Sequence, residues 1–181
     1  GEDVLEGWSG MLDRIKVRHE SLLTLVGDSA GGAMCATLAH RFMGRHETTI
    51  NNLVLIYPSL DYTLSSPSVA ELSNGYLLEK NKIEWYFKNY FQNNEDLAEM
   101  SPINMKIDQY FPRTLVITAG LCPLSDEGAN YFNKLKENGV TAEHVHFDGM
   151  IHAFLNMENL ADQQCDRLYR KVGEFLAQRI T

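Results

Sequence analysis

Four short strand-like runs, each followed by a stretch with helical spacing, constrain this chain more than any other feature. The runs are "LLTLV" (22–26), "NLVLIY" (52–57), "TLVITA" (114–119) and "AEHVHF" (142–147). Brief, mostly apolar runs of this kind read as strands of a covered sheet. The first leads into a helix from about Ala30 to Met43, whose Ala33, Ala36 and Ala39 permit close packing. Beyond Pro58 and the loop "SLDYTLSSPS", a helix is expected from about Leu77 to Phe91, with Ile83, Phe87, Tyr90 and Phe91 on one face. The third run precedes a helix showing Ala129, Phe132 and Leu135, with Gly139 as its stop. The fourth precedes a helix over about 159–179 that buries Ala161, Cys165, Leu168, Val172 and Phe175. Residues 3–16 read as one more amphipathic helix, through Val4, Trp8, Met11, Leu12 and Ile15. Strand and helix alternating four times imply an α/β fold, a parallel sheet of about four strands with helices on both faces. The 181 residues contain no internal repeat or linker and read as one domain, 1–181.

In sheets of this type, ligands and reacting groups gather beyond the carboxyl ends of the strands. Ser29 follows the first run, Cys122 the third and His152 the fourth. An early serine and a late histidine match the chain order Ser…acid…His of one hydrolase class. Gly27-Asp28-Ser29-Ala30-Gly31 fits G-x-S-x-G, in which a strand reverses into a helix at a strained serine. A Cβ at either flanking glycine is expected to collide with the neighbouring strand or helix. The corner exposes the hydroxyl and aims the backbone N–H of Ala30 at the same point, where a developing oxyanion would sit. The same glycines also suit a packing turn or a phosphate cradle, but no Lys-Ser/Thr follows them and G-x-G-x-x-G is absent. His152 alone would read as a packed histidine; its place after the last strand makes it the candidate general base. His144 and His146 share one face of a strand, and without an evident third ligand that face reads as partly exposed rather than as a metal site.

Charge narrows the partners. The net charge of −8 is spread along the chain, which argues against nucleic acid. No apolar run is long enough for a transmembrane segment. Cys35, Cys122 and Cys165 are odd in number and far apart, which fits a reducing, cytoplasmic compartment better than a disulfide frame.

The motifs "GDSAGG", "LIYPSLD", "SPINM", "FPRTLVITAG" and "GMIHAF" together resemble the hormone-sensitive-lipase-like branch of the α/β-hydrolases, its C-terminal portion only. The likeness runs from about Asp3 to Val172. It implies a serine carboxylesterase of lipase-like type, cleaving small-molecule esters with short acyl chains through an acyl-enzyme, with no metal or organic cofactor. Two departures stand out. Where the resembled family reads Asp-Pro-Leu and then Asp-Glu, this chain reads Cys122-Pro123-Leu124-Ser125-Asp126-Glu127. A thiol thus occupies the position that orients the histidine, and a thiol is a weak acceptor. Triads that lose one member keep roughly 10³–10⁴-fold catalysis over water, so a weakened enzyme is expected. Asp126 is the reserve acid, although a carboxylate in the first turn of a helix is already accounted for by the helix dipole. Asp148, four residues before His152, is looped too tightly to orient the ring.

The second departure is at the front. The strands, Gly-rich oxyanion loop and cap that the resemblance implies do not precede Gly1. The expectation is either a fragment of a longer protein or a second copy covering the bare edge of the Ser29 strand. A hydrolase-fold binding protein with impaired chemistry, or an inert fragment, is the alternative reading.

Overall fold

The computed structural model describes residues 22–44 and 50–178. The helix expected over 3–16 lies outside them. The described elements begin with β1 (Leu23–Asp28), α1 (Ala30–Phe42), β2 (Ile50–Ile56), α2 (Pro67–Glu71), α3 (Lys80–Tyr90) and α4 (Leu97–Met100). They continue with β3 (Arg113–Leu121), α5 (Ser125–Glu137), β4 (Ala142–Ile151) and α6 (Asp162–Ala177). The four strands form one sheet in the order β1-β2-β3-β4, every neighbouring pair parallel.

Alternation along the central strands divides the core into two layers. Val54, Ile56, Leu115 and Ile117 point to one face, where Cys165, Leu168 and Phe175 of α6 cover them. Leu53, Leu55 and Val116 point to the other, against Ala36 and Ala39 of α1 and Tyr131 and Leu135 of α5. The expected architecture is therefore the observed one.

Several boundaries differ for local reasons. Leu77 has a left-handed backbone (φ 68°) and Glu79 is extended, so α3 starts at Lys80 rather than Leu77. On its expected apolar face Ile83 is buried, but Tyr90 is 62% exposed. The loop after Pro58 contains the short helix α2. A 3-10 turn over Phe154–Leu160, with non-helical Met157, delays α6 to Asp162, and Val172 is only half-buried.

One irregularity positions the chemistry. Pairing of β3 with β4 runs Ala119↔Phe147 and then resumes at Leu121↔Ile151, so β4 carries two residues more than β3 across that gap. Gly120 lies at this bulge, where a Cβ would run into the carbonyl of Asp148. The residues immediately past the resumed pair are Cys122 and His152. On the other side of the sheet, Asp28↔Ile56 brings β1 and β2 to a common end, with Ser29 and Tyr57 next in sequence.

A half-buried histidine ties α1 to its surroundings. His40 Nδ1 lies 2.9 Å from the Lys106 carbonyl and Nε2 lies 2.9 Å from the Tyr131 hydroxyl. Burial lowers its pKa from 6.5 to about 4. The unfolded chain therefore takes up a proton between pH 6.5 and 4 that the folded chain refuses, and His40 removes stability as pH falls through that window. We expect the stability of His40→Gln relative to the parent to improve between pH 7 and pH 4.5, measured by urea denaturation; a constant difference would contradict this.

Candidate active site

The corner after β1 is strained. Ser29 has φ 52° and ψ −120°, a conformation that costs a non-glycine residue about 1–3 kcal/mol. Three backbone hydrogen bonds hold it there. Its N–H donates to the Ile56 carbonyl (2.8 Å), and its own carbonyl accepts from Ala33 (3.2 Å) and Ser59 (3.3 Å). A Cβ at Gly27 would meet the Gly31 carbonyl, so the strand approaches the helix as closely as expected on that side. The collision expected at Gly31 does not occur: a Cβ there lies 3.8 Å from Asp28 Oδ1, and the tight contact falls one residue later, between Gly32 and Pro58. Ala30 opens α1 and is exposed. The first N–H groups of a helix have no carbonyl behind them, and Ser29 gives them no side-chain cap. Among the described residues they remain available to an anionic oxygen.

Ser29 Oγ lies 2.8 Å from His152 Nε2, across 123 residues of sequence. His152 Nδ1 lies 3.2 Å from Cys122 Sγ. The three side chains that sequence places at strand ends are thus in one line. His152 is only 6% exposed, and burial lowers its pKa to about 4. Cys122 is fully buried, and burial pushes its thiol up to about 12. Its sulfur also accepts from the Leu124 N–H at 3.4 Å.

Asp126 does not join this line. Its Oδ2 accepts from the Ser68 N–H (2.8 Å), and its own N–H donates to Ser68 Oγ (3.3 Å), which fastens α5 to α2. Asp148 is 98% exposed and pairs with His146 Nε2 at 3.3 Å. His144 and His146 both reach Thr118 Oγ1, at 2.8 and 2.7 Å. Among the described residues no group of three or more His, Cys, Asp or Glu could hold a metal ion. Nor is any described helix long and apolar enough to cross a membrane.

Sequence reasoning missed two neighbours of the site. Tyr57, fully buried, sets its ring 4.9 Å from the His152 ring at 62°. Its place directly after β2, level with Ser29, is the signal that would have found it. Glu127 is fully buried, accepts from the Leu60 N–H at 2.6 Å and leaves Oε2 without a hydrogen-bond partner among the described residues. Burial raises its pKa well above the ordinary value. Above Ser29 and His152 opens a cavity of about 810 Å³, walled by Tyr62, Ile83, Phe87, Tyr90 and Leu124. Lys82 is the one charged residue among the described side chains that line it.

Comparison with known proteins agrees with the fold. A sequence profile described as the alpha/beta hydrolase fold matches residues 2–156. An ethyl acetate hydrolase of Pseudomonas putida is 28% identical over 167 residues, which cover 90% of this chain and 52% of that protein. The carboxylic ester hydrolase LipN of Mycobacterium tuberculosis is 31% identical, over 74% of this chain and 38% of that one. Among solved structures, a hyperthermophilic esterase from Pyrobaculum calidifontis superposes with a TM-score of 0.77 at 32% identity, over 84% of this chain and 51% of that chain. The chain spans about half the length of the curated relatives it matches.

Strain at residue 29 predicts that Ser29→Gly is more stable than Ser29→Ala by about 1–2 kcal/mol, since both lose the hydroxyl and only alanine keeps the Cβ. Gly27→Ala should lose about 3 kcal/mol, while Gly31→Ala should stay within about 1 kcal/mol of the parent. Urea denaturation of the four variants measures both differences.

Proposed function

This chain belongs to the alpha/beta hydrolase family, and on that premise we propose that it carries the nucleophile and base of a serine carboxylesterase acting on small esters with short acyl chains. One observation carries the reading: a serine at a strained strand-to-helix corner has its hydroxyl 2.8 Å from a buried imidazole 123 residues away. No packing requirement explains that serine, because glycine would hold the same backbone more cheaply. The Pseudomonas putida relative, an ethyl acetate hydrolase, supports the choice of a short acyl group.

In this reading Ser29 Oγ attacks the ester carbonyl while His152 Nε2 takes its proton. Negative charge develops on the carbonyl oxygen beside the Ala30 N–H at the start of α1. His152 then returns the proton to the leaving alcohol, and water hydrolyses the acyl-enzyme by the same route in reverse. Cys122 stands where a carboxylate would hold the imidazole and stabilise its positive charge. A neutral thiol does neither well, so turnover is slow.

A second reading, a binding protein on a hydrolase scaffold, is favoured by the same residue. The two separate in an assay with p-nitrophenyl acetate. We expect weak hydrolysis that Ser29→Ala abolishes and Cys122→Asp raises by about 10²-fold or more, within the roughly 10⁴-fold that a misoriented histidine costs a serine hydrolase. No gain in Cys122→Asp would count against the esterase reading. Because burial holds His152 at about 4, the acid limb of kcat/KM should fall near pH 4 rather than near 6.5.

A further inference from the structure

The line Ser29–His152–Cys122 holds a fixed number of protons, and the surroundings decide where they sit. Cys122 is a neutral thiol with one proton, buried with no exposed surface. Its sulfur lone pairs already receive the Leu124 N–H. Within reach of that sulfur lies His152 Nδ1, at 3.2 Å. An imidazole nitrogen is a good acceptor and a thiol sulfur a poor one. If Nδ1 carried the proton, it would spend a good donor on the sulfur, and the thiol proton would be left buried beside it. If the thiol donates, Nδ1 is bare and the ring proton is on Nε2, facing Ser29 Oγ at 2.8 Å. Ser29 is only half-buried, so its own hydroxyl proton can turn to solvent or to a bound ligand. The second arrangement gives every proton a partner.

The geometry points to Cys122 as a positioning residue that donates its S–H to His152 Nδ1 and so holds the imidazole at rest in the Nε2–H tautomer, the one that cannot accept the Ser29 proton. This inference rests on the esterase reading for its catalytic consequence, and its spectroscopic test is independent of that reading. A carboxylate at position 122 is an acceptor only and would enforce the opposite tautomer. Before Ser29 can be deprotonated, the ring proton must move from Nε2 to Nδ1 and the S–H must turn away. The thiol is then an obstacle to catalysis, not a feeble helper.

Those two roles differ in sign when the thiol is removed. With p-nitrophenyl acetate, Cys122→Ala should turn over faster than the parent by about 2- to 10-fold, the factor that one ordinary hydrogen bond is worth. A fall in rate would make the thiol a useful acceptor and overturn the inference. Independently of turnover, ¹⁵N NMR of the histidine-labelled intact protein reads the tautomer. His152 should show its one-bond N–H coupling at Nε2 in the parent and at Nδ1 in Cys122→Asp. A protonated Nδ1 in the parent overturns the inference even if Cys122→Ala does not fold. If neither the parent nor Cys122→Asp hydrolyses ester while the parent still shows Nε2–H, the esterase reading fails and the proton assignment stands.

Discussion

The structure depends on a line of side chains set by where paired strands end. β1 and β2 end level with each other at Asp28 and Ile56, whereas β3 and β4 run on past Ile117, the partner of Ile56, and end level with each other at Leu121 and Ile151. Asp28↔Ile56 aligns one pair of strands, and Leu121↔Ile151 aligns the other only because β4 absorbs two extra residues at Gly120. Without that bulge His152 would stand past the end of β3, and neither Cys122 nor Ser29 would meet its ring. The serine's side of the line is held differently. There the backbone is forced into a positive φ by a glycine-to-helix contact and by hydrogen bonds to β2 and to Ser59.

Burial then sets the chemistry of what has been brought together. The imidazole is desolvated and so held neutral to low pH, which suits a base. The same desolvation keeps the thiol neutral, which does not suit an orienting group. Tyr57 packs edge-on against the ring and steadies its plane, a task that the weak contact from sulfur does poorly. The site thus sets a serine hydroxyl 2.8 Å from a neutral imidazole, with a weakly accepting thiol as the third member of the line. Glu127, the residue after Asp126, has its pKa raised by burial and accepts from the backbone N–H of Leu60 rather than turning to the histidine.

Much of this was legible in the sequence. The strand–helix alternation carries the sheet, and G-x-S-x-G with a late histidine marks the residues that meet. Three matters were not legible. The bulge at Gly120 has no local signature, because it is set by how β4 passes β3. The direction of Asp126 depends on α2, a helix hidden in a stretch of Ser and Pro that reads as loop. The aromatic wall over the site comes from α3, whose spacing suggests a face packed on the core; the packing instead leaves Tyr90 open to the cavity.

The central claim is that the imidazole of His152 activates the hydroxyl of Ser29. Phosphonylation by a fluorophosphonate, located by mass spectrometry and timed in the parent and in His152→Gln, tests it most directly. The account predicts a label on Ser29 whose rate of formation falls by at least about 10²-fold without the imidazole, the lower end of what a positioned base contributes. Equal rates in the two proteins, or a label on another residue, would contradict it.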